Sequence, residues 1–572
     1  MNYFKKFAVL SFCLVFIPQI VSTASAGWGH RPARAAHGMV ATAAPLASET
    51  GLKILRRGGN AVDAAVAVGF ALEVVYPEAG NIGGGGFMVI RFPDGRSTTI
   101  DYREKAPLKA TQNMYLDKNG NVISGLSLKG YLACGVPGSV KGLWLAHQKY
   151  GKLPWKTLVE PAVKLAEKGF PIAYEFAQEL KRHRKDLKYF PATAKVFFKN
   201  GKIPYETGDV FVQKDLAKTL RLIAEKGPDG FYKGPVARRI ERAMRANGGL
   251  IDKKDLETYE AKERRPVEGT YHGYRIISMG PPSSGGICLI EILNILEPFP
   301  LKKYGFHSSE TVHLVVEAEK RAYADRAKHL GDSDFYPVPL KGLLSKSYAS
   351  DLRKSIDLRR ATPSSEISAG NPLKYESRET THYSIVDENR MAVSVTTTLN
   401  AAFGSKVVIE GTGFLMNDEM DDFSAKPGVP NKYGLVGGKA NSIQPGKRML
   451  SSMSPTIVEK DGKLFMVVGT PGGSTIITSV LQTFLNVVDF GMNIQEAVDA
   501  PRFHHQWLPD HIFYGRFAFP QDVIVNLQKM GHHLYPRHTN GPGIVQAILV
   551  DPKTGILWGG SDSRGYGRAE GY

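Results

Sequence analysis

The sequence predicts an α/β (α+β) chain folded as a four-layer αββα sandwich, two β-sheets face to face with helices outside both. Three observations lead there. Short apolar runs pair into hairpins around turn residues. Long apolar helices separate those hairpins, and no fixed-period repeat or low-complexity segment breaks the alternation. A hydrophobic content of 42% across 572 residues is ample for the core such a sandwich needs.

The elements follow in chain order. "NAVDAAVAVGFALEVV" is apolar all round and reads as a buried helix. "NIGGGGFMVIRF" turns through four glycines into a strand, and "STTIDYREKAP" supplies its partner. Residues 140–270 read as mainly helical, with amphipathic runs such as "LAKTLRLIAEKG". "SSETVHLVVEAEKRAYADRAKHLG" predicts another long helix, and the polar stretch 340–379 reads as an exposed loop or linker. Strands dominate afterwards. "THYSIVD" and "MAVSVTTTL" flank the turn "ENR". "PTIVEKDGKLFMVVGT" folds back around Asp461-Gly462, and "VQAILVDPKTGILWGG" makes a third hairpin. The helix "STIITSVLQTFLNVVDFG" lies between the last two.

The amino terminus has a different character. Lys5 and Lys6 precede an apolar run from Phe7 to Val21, followed by small residues up to Ala26. That pattern is a secretory signal cleaved after Ala26, which implies a periplasmic or secreted protein with no membrane span in its mature form. The run is too short for a retained membrane helix of ~20 residues. Cys13 leaves with the signal, so Cys134 and Cys288 remain, either bridged or both unpaired. The formal net charge of +18 is dispersed. Without a basic patch interleaved with aromatics, a nucleic-acid partner is not expected.

Several chemistries can be set aside. His504-His505 and His532-His533 lack the i, i+4 spacing and companion ligands of a zinc site, so they read as structural. "NIGGGGF" precedes a strand rather than opening a helix, and no Gly-Lys-Ser/Thr follows. Close backbone packing is its better reading. No Gly-x-Ser-x-Gly is present for a serine hydrolase. What remains is a group of features after position 379. Asn400 ends a strand, "NDEMDDF" concentrates carboxylates, "MLSSMSP" places Ser451-Ser452 before a strand, and "GTPGGS" sets Gly472-Gly473 between a strand and a helix. Singly these are an acidic surface run, a cap and a turn. Together they supply an anionic clamp, hydroxyl donors and a backbone oxyanion hole.

"TTHYSIVD", "TTTLN", "MDDFSAKPG", "LSSMSPT" and "GTPGGS" resemble the small subunit of gamma-glutamyltranspeptidases. "GNIGGGGF", "DYREKAP" and "GPPSSGG" resemble the large subunit of that family, in the same order and across nearly the whole chain. The resemblance implies an N-terminal nucleophile hydrolase fold made as a precursor that cuts itself between Glu379 and Thr380. Residues 27–379 would form the large subunit and 380–572 the small catalytic one, held together as a heterodimer. Thr380 would then be both nucleophile and, through its freed α-amine, general base. Thr381 is its rival, but neighbouring strand side chains point to opposite faces, so only one can meet the site.

The remaining roles are also implied by resemblance. Arg103 would grip a glutamyl α-carboxylate, with Ser451 and Ser452 donating hydrogen bonds to it. Asp422, Asn400 and Glu419 would hold the α-ammonium; bacterial members often carry Gln where this chain has Glu419. Gly472 and Gly473 would form the oxyanion hole, Thr398 would hydrogen-bond the nucleophile, and Tyr433 would shield the pocket from a lid at 427–438. The implied reaction moves a γ-glutamyl group from glutathione or a related donor to water, an amino acid or a dipeptide. It needs no metal or organic cofactor. The alternatives are a cephalosporin (glutaryl) acylase of the same superfamily and an exported protein that binds glutamyl peptides without turnover.

Overall fold

Strands apolar on both faces build the centre of the protein. The computed structural model describes residues 31–80, 82–372, 384–537 and 543–572. The expected signal segment, the junction Glu379-Thr380 and Thr381 lie outside the described residues.

Two seven-stranded sheets carry the architecture. Their strands, numbered in chain order, are β1 (Ala33–Ala35), β2 (Met39–Thr42), β3 (Gly85–Arg91), β4 (Ser97–Asp101), β5 (Lys262–Arg264), β6 (Val267–Tyr271) and β7 (Tyr274–Ser278). After the proposed junction come β8 (Ser384–Val386), β9 (Ala392–Thr398), β10 (Thr456–Lys460), β11 (Lys463–Gly469), β12 (Gln546–Val550), β13 (Leu557–Ser561) and β14 (Arg568–Gly571). The first sheet runs β1-β13-β12-β11-β10-β7-β6 and the second β14-β2-β8-β9-β3-β4-β5. Neighbouring strands are antiparallel throughout.

Alternation along each strand divides its side chains between two layers. Val386, Ile457, Val467 and Ile548 meet Phe87 and Met39 in the core between the sheets. Their neighbours Val458, Met466, Val468 and Leu549 face the helices α3 (Gly285–Leu296), α4 (Ser309–His329) and α5 (Ile476–Val488). Ile385, Val393 and Val395 face α1 (Pro45–Arg56) and α2 (Ala61–Val75) on the other side. The expected αββα order is the observed one. Helix α2 starts at a capping box: Asn60 Oδ1 accepts from Asp63 N at 2.9 Å, and Asp63 Oδ2 accepts from Asn60 N at 3.0 Å.

The glycine run before β3 serves close approach. A Cβ on Gly83 would strike the Leu415 carbonyl oxygen, and one on Gly84 that of Thr398. The sheet can therefore pass directly beside the chain that leaves β9.

Two expectations change. The polar stretch from residue 340 is not simply an exposed linker. Its described part holds helices at Leu340–Leu343 and Lys346–Arg353, with Leu343, Tyr348 and Ala349 buried. Residues 140–270 are helical only as far as Thr258, after which β5 and β6 begin. Cys134 and Cys288 are both free and buried. Among the described residues no helix is long and apolar enough to cross a membrane.

His504, His505 and His532 are buried and hydrogen-bonded within the protein. His504 bonds Thr478 Oγ1 and Gln506 Oε1, both at 2.9 Å, His505 bonds Asp510 at 3.1 Å, and His532 meets His313 at 2.8 Å. Burial pulls the pKa of His504 to about 3, His505 to about 4 and His532 to about 3. These rings titrate near 6.5 when unfolded, so between 6.5 and about 4 the unfolded chain binds more protons. Stability is therefore expected to hold above pH 6.5 and to fall as the solution is acidified through that window. In calorimetry from pH 7.5 to pH 4, His532→Gln should flatten the decline in Tm; an unchanged slope would contradict the assignment.

Candidate active site

The carboxyl ends of β9 and β11 approach one cavity from the two sheets. It has a volume of about 90 Å³ and is lined by Arg103, Thr398, Asn400, Glu419, Asp422, Tyr433, Ser451, Ser452, Gly472 and Gly473. Each site residue expected from the sequence and lying within the described residues is thus in one place. Thr380, the expected nucleophile, lies outside the described residues.

Strand β9 delivers Thr398 and then turns sharply. Asn400 adopts φ 74°, and its N–H donates to Thr398 Oγ1 at 2.7 Å. Its side-chain amide donates to the Asp418 carbonyl at 3.0 Å, which ties the turn to the acidic segment. That segment is no solvated run. Glu419–Asp422 form a 3-10 turn in which Glu419, Met420 and Asp421 are buried. Asn417 anchors it: Nδ2 donates to Gly83 O and Gly135 O at 2.8 Å each, and Oδ1 accepts from Glu419 N at 3.1 Å.

Arg103 follows β4 and is 0% exposed. Its Nη1 pairs with Glu419 Oε1, its Nη2 with Asp422 Oδ2 at 2.6 Å, and its Nε donates to Met449 O at 3.3 Å. Glu104 lies 3.5 Å from the same guanidinium. The fork expected to meet a ligand carboxylate is engaged by two of the protein's own carboxylates. Three acids surround one base, and burial opposes their ionisation. Burial raises the pKa of Glu104 to about 8 and pushes Glu419 and Asp422 up, while Arg103 pulls all three the other way. Glu104 Oε1, Glu104 Oε2 and Glu419 Oε2 are buried without hydrogen-bond partners.

Ser451 and Ser452 form the adjacent wall and are backed by "GPPSSGG". Ser451 N donates to Pro282 O at 2.8 Å, and Ser284 N donates to Ser451 O at 2.8 Å. Ser452 Oγ accepts from Arg326 Nη2 at 3.0 Å. Across the cavity, β11 ends in Thr470-Pro471-Gly472-Gly473 before a 3-10 turn leads into α5. Gly472 has φ 145° and Gly473 φ 58°, conformations that side chains disfavour. A Cβ on Gly473 would lie 2.6 Å from the Tyr433 ring. Tyr433 covers the cavity: its hydroxyl donates to Asn400 O at 2.7 Å, and Gln506 Nε2 donates to its carbonyl at 3.0 Å.

Sequence reading missed Glu104, Asn417, Ser284 and Arg326. Glu104 sits inside the quoted "DYREKAP" and could have been found there. Arg326 is one of several cations in a long helix rich in charge, and nothing in its spacing separates it from a surface residue. Among the described residues no group of three or more His, Cys, Asp or Glu is arranged to hold a metal ion.

The chemistry of the cavity has counterparts in known proteins. A family model for gamma-glutamyltranspeptidase matches residues 47–572. The chain is 55% identical over 520 residues to a glutathione hydrolase proenzyme of Pseudomonas sp. (strain A14), covering 91% of this chain and 90% of that protein. It is 52% identical over 534 residues to the proenzyme of that name from Escherichia coli K12, covering 93% and 91%. Among solved structures, cephalosporin acylase from Bacillus halodurans superposes with a TM-score of 0.83 at 28% identity, over 98% of this chain and 99% of that one. A chain of Helicobacter pylori gamma-glutamyltranspeptidase superposes with a TM-score of 0.57 at 52% identity, over 57% of this chain and 94% of its own length. The chain belongs to the gamma-glutamyltranspeptidase family.

Proposed function

We propose that the protein is a γ-glutamyltranspeptidase and glutathione hydrolase that cuts itself at Glu379-Thr380 and uses Thr380 as nucleophile. The observation that carries this reading is the cavity's polarity: an acidic cluster and paired serines at one end, and Gly472-Gly473 at the other. An amino-acid head group fits the first, and the carbonyl of its side-chain amide reaches the second.

β9, which pairs with β8 as Ser384↔Ser394, Ile385↔Val393 and Val386↔Ala392, ends in Thr398 at the cavity wall.

In self-cleavage the Thr380 hydroxyl attacks the Glu379 carbonyl, the acyl group passes from nitrogen to oxygen, and water hydrolyses the ester. This frees the Glu379 carboxylate and the Thr380 α-amine, whose ordinary pKa of ~7.7–8.0 suits a general base. In turnover the amine takes the hydroxyl proton as Oγ attacks the γ-carbonyl of glutathione or a related donor. The proton then passes to the leaving amine of Cys-Gly. Gly472 and Gly473 N–H groups face the developing oxyanion, an interaction of about 3–4 kcal/mol per donor. The γ-glutamyl ester passes to water or to the amine of an amino acid or dipeptide.

Residues 27–379 and 380–572 would remain together as large and small chains, exported to the periplasm or beyond by the segment that ends at Ala26. That the H. pylori chain matches 57% of this chain over 94% of its own length supports such a division. The shared fold of the B. halodurans acylase keeps a glutaryl reading in view. The Asp422-Glu419 cluster, in which Glu419 is buried, favours a donor that carries an α-ammonium.

On a denaturing gel the wild-type protein should run as two bands and Thr380→Ala as one precursor-sized band without γ-glutamyl-p-nitroanilide hydrolysis. A Thr380→Ala protein that still divides would overturn the nucleophile assignment. Asp422→Asn removes charge from the ammonium end and leaves Arg103 undercompensated. Losing its charged contact with the donor's α-ammonium costs about 2–5 kcal/mol, so kcat/KM should fall about 10²–10³-fold, mostly through KM. Steady-state kinetics showing less than a threefold change would remove Asp422 from the head-group site.

A further inference from the structure

Arg103 is not the only buried guanidinium at the cavity. Arg326, on α4, is 5% exposed. Its Nε donates to Ser284 Oγ at 2.8 Å and its Nη2 to Ser452 Oγ at 3.0 Å. Both partners are neutral hydroxyls, whereas Arg103 is engaged by Glu419 and Asp422. Among the described residues no carboxylate lies within ion-pair distance of Arg326, although Asp422 acts on it from farther off. In a poorly screened interior its charge acts on the cavity through Ser452, which lines it.

Proton bookkeeping gives the contact a direction. Ser284 Oγ donates its single proton to Ser451 O at 2.7 Å, so it meets Arg326 Nε as an acceptor. Ser284 N also donates to Ser451 O, and Arg326 thereby braces the backbone of the serine pair. Ser452 Oγ accepts from Arg326 Nη2, which fills one lone pair and leaves its own proton to point elsewhere. Ser452 lines the cavity. A hydroxyl held in this way is a committed donor toward an anion, and the adjoining cation strengthens it.

We infer that Arg326 is a positioning residue for the donor's α-carboxylate, holding the Ser452 hydroxyl as a hydrogen-bond donor into the cavity and making that wall electropositive. Arg103 is already engaged by Glu419 and Asp422, so a carboxylate placed beside it needs a second source of positive potential. Arg326 supplies one without touching the ligand. This inference rests on the γ-glutamyl reading of the cavity.

The test compares γ-glutamyl-p-nitroanilide with the same anilide bearing an α-carboxamide in place of the α-carboxylate. Arg326→Gln should lower the preference for the carboxylate donor roughly ten- to a hundred-fold, with KM rather than kcat carrying the change. Arg326→Lys, which keeps the charge but bonds fewer oxygens, should restore part of that preference. In a Ser452→Ala background Arg326→Gln should cost less than it does in the wild type, because the hydroxyl part of its route to the ligand is already removed. Preference equal to wild type in Arg326→Gln, or effects that simply add with Ser452→Ala, would overturn the inference. If Arg326→Gln does not fold, Arg326→Lys decides alone, with an expected loss of preference of several-fold and an unchanged preference as the contrary result. Failure of the wild-type protein to turn over either anilide would instead remove the γ-glutamyl reading itself.

Discussion

A guanidinium with no exposure to water has to be compensated by its neighbours, and Arg103 draws that compensation from both sides of position 379. Asp101 accepts from its backbone N–H at 3.0 Å, and Glu104 adds a carboxylate from the same stretch. Glu419 and Asp422 come from the later part of the chain. Removing any one leaves buried charge unpaired, which is far more destabilising than the pair is stabilising. The cluster therefore fixes how two distant stretches of sequence meet.

The two sheets divide the remaining work. The second sheet, through β9, carries Thr398 and Asn400 to one wall, and the first, through β11, carries Gly472 and Gly473 to another. Their facing cores make the spacing rigid, since Phe87, Ile457, Val467 and Ile548 interlock between them. Gly83 and Gly84 let β3 pass close to the Leu415 and Thr398 carbonyls without pushing the acidic turn away. Tyr433 then covers the cavity through bonds to Asn400 and Gln506. Excluding water strengthens each charged contact beneath it.

The layers were legible in the sequence because a strand between two cores alternates between them while staying apolar. "PTIVEKDGKLFMVVG" could be read as paired strands from Thr456 to Gly469 without knowing which core each residue would enter. Less was legible where polarity and burial part company. The acidic run 418–422 and the stretch after 340 look like surface, yet both are partly buried: Asn417 and Arg103 hold the first, and Tyr348 donates to Asp325 at 2.5 Å in the second. Arg326 was hidden for a related reason. α4 buries Glu317, Glu319, Lys320, Arg321, Asp325 and Arg326 along one helix, and periodicity does not say which of its charges meets a serine pair far along the chain. The site residues before and after position 379 became visible together only as an ordered set of motifs.

On the proposed reading, Asp422 and Glu419 meet the α-ammonium of the donor. The most direct measurement is kcat/KM for γ-glutamyl-p-nitroanilide against glutaryl-p-nitroanilide, which differ only in the α-amino group. A cavity that leaves buried carboxylates unpaired with the glutaryl donor should prefer the γ-glutamyl one by about 10³-fold or more. Comparable turnover of the two, or a preference for glutaryl, would contradict a head-group site built on this charge cluster.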